Sequence, residues 1–400
     1  MFPVLSRKVH GKDLVYLDNA ATSQRSLSVI DEWNRISTYS NANIHRAVHC
    51  LADEATQAYE GARDAVKEFL NASGRDEIVF TSGTTAAINL VAFCFGEAFV
   101  CEGDEVIVSE AEHHSNIVPW QMMCKRKGAV LKVLPVDDSG YLKIDLLDEL
   151  ITDRTRILAV THISNVLGLI NPVKEIISKC HSKGVPVLID GAQGIVHCDV
   201  DVQDLDCDFY VFSGHKLYAA TGTGVLYGKR KWLEIMPPYM GGGEMVGTVT
   251  FAETTYAPLP MKYEAGTQNF ASIATLKHAL KIANLLKDNN LEQNYTTIRD
   301  YILSTLSKDD RIRLFGVPRG TSEDKIPLFS FTVSGVHHED LALILDKMGI
   351  AVRSGQMCAE PLMDRFGVTG MLRASFAPYN TIEEAEYFVK CLNRAISMLV

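Results

Sequence analysis

Between residues 77 and 228, short apolar runs rich in β-branched residues alternate with stretches of helical periodicity. EIVF (77–80), EVIVS (105–109), VLKVL (130–134), ILAVT (157–161), VPVLID (185–190), DFYVFS (208–213) and GVLYG (224–228) read as strands. TAAINLVAFCF and VKEIISKCHSKG between them read as helices, the second ended by Gly184 at a C-cap. This alternation predicts an α/β fold, a mostly parallel sheet with helices on both faces. Ligands of such sheets bind beyond the carboxyl ends of the strands.

After the glycine and proline cluster Pro237–Pro260 the pattern changes. ASIATLKHALKIANLLKDNN and the segment up to Leu306 predict two helices. Strands follow near RIRLF and PLFSFTV, then a helix at HHEDLALILDKMG, strands around AVRS and MLRASF, and a closing helix from Thr381. Four hundred residues exceed one ordinary core. The expected division is a large unit at 21–284, a smaller α+β unit at 285–400, and an N-terminal segment 1–20 packed on the small unit. There is no internal repeat.

Composition narrows the function. The chain has 47% hydrophobic and 22% charged residues, an ordinary globular balance. With 39 basic against 49 acidic side chains the net charge is −10, which disfavours nucleic acid and anionic membrane surfaces and favours a small-molecule partner. The start MFPVLSRKVHGKD has no long apolar h-region, and no apolar run approaches the ~18 residues of a spanning helix, so a cytoplasmic location is expected. Nine scattered cysteines without a CxxC pair fit reduced thiols rather than disulfides or a zinc ribbon.

Several segments carry candidate chemistry. The strand ending at Ser213 continues as Gly214, His215 and Lys216, delivering a lysine to the sheet's carboxyl edge. Alone, that signal favours a solvated lysine; buried, the amine has a lowered pKa and can form a Schiff base. Asp190, ending VLID, either caps its turn or pairs with a pyridinium nitrogen. Gly83, Thr84 and Thr85 open a helix, as a phosphate cradle, a plain N-cap, or both. His113 and His114 are adjacent, so their side chains diverge, and no HExxH spacing accompanies them; one ring over a planar cofactor suits them better than a metal. His45 and His49 have helical spacing but sit in loop-like sequence without a third ligand, so no metal is expected. Cys358, in AVRSGQMCAEPLM, is an inert buried thiol or a reagent.

The order SGTT, EHHSN, THISNVLG, DGAQG, SGHK, YEAGTQN, RSGQMCAEPLM and RAS resembles the cysteine desulfurases, pyridoxal 5'-phosphate enzymes of fold type I in the class V aminotransferase family. The likeness runs nearly end to end. The compact RSGQMCAEP segment is similar to the group II, sulfur-mobilisation type, related to selenocysteine lyases; group I enzymes carry a longer cysteine loop. The resemblance implies a seven-stranded sheet in the large domain and a cysteine loop on the small α+β C-terminal domain.

Position by position, it implies that Lys216 holds the cofactor and later moves protons, that Asp190 meets the pyridine nitrogen, that Gln193 lies beside the phenolic oxygen, and that His113 stacks on the ring. Thr84, Thr85, Ser213 and His215 would hold the phosphate, joined by Gly266 and Thr267 of a second subunit, which implies a homodimer. Asn165 and Arg373 would orient the carboxylate of L-cysteine, with Arg353 close by. Cys358 would take the sulfur as a persulfide, for iron-sulfur cluster or other sulfur assembly through a small sulfur-acceptor protein. Its short loop is expected to hold the thiol in a recess. Two other readings remain open: a selenocysteine lyase, which needs no thiol nucleophile, and a catalytically silent sulfur-assembly scaffold.

The sequence departs from the pattern at Met357, where many relatives carry histidine. Methionine accepts no proton, so activation of Cys358 has to come from elsewhere, such as a nearby arginine or the substrate. Ser82 and Ala86 also differ from the Arg and Glu of some relatives.

Overall fold

The computed structural model describes residues 1–288 and 291–400; Asn289 and Asn290, at the end of the first helix expected after Pro260, lie outside the described residues. The seven apolar runs form the strands β1 (Ile78–Thr81), β2 (Glu105–Ser109), β3 (Val130–Leu134), β4 (Thr155–Thr161), β5 (Val187–Asp190), β6 (Phe209–Ser213) and β7 (Gly224–Gly228) of one sheet. Their spatial order is β1-β7-β6-β5-β4-β2-β3. Neighbours from β6 through to β3 are parallel, whereas β7 runs antiparallel to both β1 and β6. The reversal follows from chain length: a parallel crossover needs a dozen or more residues, and only residues 214–223 join β6 to β7. That short connection carries Lys216.

Period-two geometry sends successive side chains to opposite faces. Val79, Val106, Val108, Ile157, Ala159, Leu188, Val211 and Leu226 join one buried cluster. Ile78, Phe80, Ile107, Leu158, Val160, Ile189, Phe212 and Val225 join the other. Both faces are therefore core, as the near-continuous apolar character of the strands requires. The first cluster is completed by helices Thr84–Phe99 and Val118–Lys127, the second by helices Cys50–Phe69 and Val173–Ser182.

In the C-terminal part, β8 (Ile312–Phe315), β9 (Leu328–Val333), β10 (Arg353–Gly355) and β11 (Met371–Ser375) form an antiparallel sheet in the order β8-β9-β11-β10. Helices Leu291–Leu306, His338–Lys347 and Ile382–Leu399 contribute to its core. Thr381 and Glu384 close a capping box at the start of the last helix. Val15–Tyr16 pairs in parallel with Ile350–Ala351, and Asp18 bridges to Ser375. The chain then crosses to the large sheet: Gln193 Nε2 donates to Ala20 O at 2.8 Å, and Ser23 N donates to His215 O at 3.1 Å. Among the described residues no helix is long and apolar enough to cross a membrane.

Candidate active site

The carboxyl ends of β4, β5 and β6 deliver Thr161, Asp190 and Ser213 to a cavity of about 260 Å³. Thr84, Thr85, His113, Asn165, Gln193, His215, Lys216, Arg353, Cys358 and Arg373 also line it. Gly266 and Thr267 do not; Thr267 is exposed, on the loop where Gly266 N donates to Gly243 O at 2.9 Å. His45 lies in a loop and His49 caps helix Cys50–Phe69, and among the described residues no cluster could hold a metal.

Lys216 ends the turn Gly214–Lys216 and lines the cavity, its amine without a hydrogen bond to the described residues. Burial pushes that amine down to about 8, against the pull of Asp190 and with the help of Arg373. Asp190 is buried, which raises its carboxyl; the Ala192 N–H at 2.9 Å and the Lys216 charge oppose the rise. Its other oxygen is left to the cavity. Burial, with Lys216 nearby, pushes His113 down to about 4, so the ring is neutral at pH 7. His113 Nδ1 accepts the Ser115 N–H at 3.0 Å, which places the ring proton on Nε2.

One end of the cavity is built for an anion. Helix Thr84–Phe99 starts there with its unpaired N–H groups, and the Thr84 N–H donates to Ser213 Oγ at 2.8 Å. The Gly83 turn, with a φ of 152°, packs against the start of β7, where a Cβ on Gly224 would sit 2.4 Å from the Gly83 backbone.

The opposite end is cationic. Arg353 and Arg373 face each other across the β10–β11 pair, and Asp18 lies between them. Arg353 Nη2 donates to Asp18 Oδ2 at 2.8 Å and Arg373 Nη2 to Oδ1 at 3.2 Å. Arg373 Nη1 donates to Asn165 O at 2.8 Å, while its Nε is buried without a partner. Two guanidiniums against one carboxylate leave a net positive charge, suited to one substrate carboxylate.

Cys358 corrects the expectation of a recess: it is exposed at the cavity mouth, and the buried side chain is that of Met357. Both residues have φ of 55°, a left-handed conformation that costs a non-glycine residue roughly 1–2 kcal/mol. Surrounding contacts have to hold such a pair in place. Asn165 Nδ2 donates to Met357 O at 2.9 Å, tying the loop to the segment after β4.

The Aminotransferase class-V family pattern matches residues 15–388. The chain belongs to the class-V aminotransferase family. It is 45% identical over 399 residues to the cysteine desulfurase of Cronobacter sakazakii, covering all of this chain and 97% of that one. The solved structure of the cysteine desulfurase CsdA from Escherichia coli superposes with a TM-score of 0.90 at 43% identity, over 100% of this chain and 97% of the other. The apo cysteine desulfurase from Thermococcus onnurineus NA1 gives 0.91 at 32% identity, over 100% and 98%.

The cofactor of class-V aminotransferases of this kind is pyridoxal phosphate, and the cavity fits it. The unbonded Lys216 amine, the open Asp190 oxygen, the neutral His113 ring and the anion cradle at Thr84 are complementary to its aldehyde, pyridine nitrogen, ring face and phosphate. Reading the sequence missed two residues packed around this cavity, Asp18 and Glu112, and named His114 only as the neighbour of His113. Asp18 sits in LDNAAT, where the polar pair between a strand and two alanines was the available signal. Glu112 precedes the two histidines and is fully buried, taking the Asn116 Nδ2–H at 2.7 Å and the Thr161 N–H at 2.8 Å. His114 holds the cysteine loop rather than lining the cavity.

Proposed function

We propose that the chain is a cysteine desulfurase that takes sulfur from L-cysteine onto Cys358 as a persulfide and releases L-alanine. The observation that carries this reading is the placement of Cys358 on the same cavity as Lys216, Asp190 and the Arg353–Arg373 pair. Pyridoxal phosphate, when bound, supplies the electron sink for removal of the amino acid's α-proton. Lys216 would hold its aldehyde, Asp190 its pyridine nitrogen, Gln193 its phenolic oxygen and His113 its ring. Thr84, Thr85, Ser213 and His215 would hold its phosphate.

Arg373 and Asn165, with Arg353 beside them, hold the substrate carboxylate and so fix which way the amino acid's Cα and sulfur point. Lys216, with an amine brought down to about 8, exchanges protons near neutral pH and is placed to move the α-proton. The Cys358 thiolate attacks the substrate sulfur, the S–S bond forms as the substrate's Cβ–S bond breaks, and the electron pair left on Cβ is protonated to give alanine. Arg353 and Arg373 line the same cavity as the thiol.

The same reading makes the protein a homodimer. Gly266 and Thr267 stand outside their own cavity, and Trp33, Tyr39, Met240 and Phe251 are large side chains left exposed, available to a second subunit. It also places the chain in the cytoplasm as a large domain, 21–284, and a small one, 285–400, serving a small sulfur-acceptor protein in iron-sulfur cluster or other sulfur assembly.

Incubation with L-cysteine tests the reading. Wild type releases alanine and gains one sulfur on the Cys358 peptide by mass; Cys358→Ala loses both activities but still releases alanine from L-selenocysteine. Unchanged cysteine activity in Cys358→Ala would refute the nucleophile assignment.

A further inference from the structure

His114 stands beside the cavity histidine but does not line the cavity. Its backbone N–H donates to the Cys358 carbonyl at 2.7 Å. Its ring Nε2 accepts the backbone N–H of Glu360 at 3.0 Å. Acceptance at Nε2 puts the ring proton on Nδ1. The Glu360 N–H opens helix Glu360–Phe366 and has no acceptor within that helix, so His114 supplies one.

Cys358 therefore lies between two bonds from one residue. The bonds Ala359 N to Gln356 O and Gln356 Nε2 to Glu360 Oε1 are internal to the loop and do not fix its position against the cavity. Leu362 N and Met363 N donate to Ala359 O, which joins the loop to the helix that follows it, and the side chains of Met357 and Ala359 pack into the core. Toward the other segments that carry the cavity, the hydrogen bonds of residues 356–360 among the described residues are that of the Asn165 amide to Met357 and these two of His114. The consecutive left-handed residues Met357 and Cys358 need that support, because a free loop would relax out of the conformation.

We propose that His114 is a positioning residue for sulfur transfer: it clamps the Cys358 loop against the histidine segment and sets where the thiol meets the substrate. This rests on the desulfurase reading above. It divides the adjacent pair, with His113 facing the cavity and His114 holding the nucleophile's main chain.

The test compares wild-type holoenzyme with His114→Leu, which keeps bulk but loses the acceptor, and His114→Gln, whose side-chain oxygen restores one near the Nε2 position. The readouts are single-turnover persulfide formation on Cys358 and iodoacetamide alkylation of Cys358, both resolved by peptide mass because Cys50 and Cys101 are also exposed. The expected result in His114→Leu is persulfide formation slower, and alkylation faster, by about fivefold each, the effect of one neutral hydrogen bond. The KM for L-cysteine and the visible spectrum hold, and His114→Gln returns both rates toward wild type. Wild-type rates in His114→Leu overturn the proposal, as does equal impairment in both variants. If His114→Leu does not fold, His114→Asn, whose amide is too short to reach Glu360, takes its place. Failure of wild type to form a persulfide instead defeats the desulfurase reading.

Discussion

Replacing Lys325 by methionine should stabilise the protein at neutral pH and destabilise it in alkali. The side chain is 1% exposed, and among the described residues it has no carboxylate partner. Its Nζ donates to Leu167 O at 2.5 Å and lies 5.5 Å from the Phe329 ring centre. Burial pushes the amine from 10.5 down to about 7. A drop of that size corresponds to at most about 5 kcal/mol. The sign follows from proton counting: between those two pH values the unfolded chain holds a proton that the folded chain has released. The destabilisation is thus complete below about pH 7 and fades as pH rises to 10.5. Methionine removes it but leaves the Leu167 carbonyl unpaired, a loss of about 1–3 kcal/mol. Lys325→Met should therefore be about 2 kcal/mol more stable than wild type at pH 7 and less stable near pH 10.5. Urea midpoints of the two proteins, taken in parallel across that range, measure the difference and cancel any shared effect of cofactor. A gap that does not change with pH, or a variant less stable at pH 7, would refute the argument.

Glu112→Gln should show the opposite slope. Burial first, with Asp190 adding, raises the Glu112 carboxyl to about 8, so its folded state holds a proton that the unfolded chain loses above about pH 4.5. The variant's amide NH2 faces one of the surrounding donors, a cost of about 1–3 kcal/mol at every pH, and relative to wild type its stability should rise by up to a few kcal/mol from pH 4.5 to pH 8, read as thermal midpoints; a flat difference counts against a buried, protonated Glu112. Asp18→Asn removes the carboxylate shared by Arg353 and Arg373. The expected outcome is a loss of about tenfold in kcat/KM for L-cysteine, mostly in KM, with the cofactor spectrum intact; unchanged KM would show that Asp18 does not orient the pair.

Strand positions were legible because hydrophobic period is a local property: β2, β3 and β7 coincide with their apolar runs, and the others shift by up to two residues. The reversed direction of β7 was equally present, in the length of the connection that carries Lys216. Lys216, Asp190 and the Thr84 turn could be placed because each ends a strand or opens a helix, and fold topology alone carries such positions to one edge of the sheet. Asp18 could not, since its partners lie 335 and 355 residues away and its one local signal, the polar pair in LDNAAT, is too weak to set it apart from a solvated aspartate. Glu112 reads locally as a charged surface residue; three donors folded around it make it a buried one.

Met357 shows the limit most sharply. Read as a residue type, it is the place where a proton acceptor is missing. In the fold its side chain is 8% exposed, and its carbonyl takes the Asn165 amide at 2.9 Å. The position thus acts through its main chain, which any residue able to hold a φ of 55° supplies. Support for the loop then comes from other residues. Asn165 and His114 bond its main chain, so the departure at Met357 leaves the cysteine loop anchored by hydrogen bonds that do not depend on the residue found there.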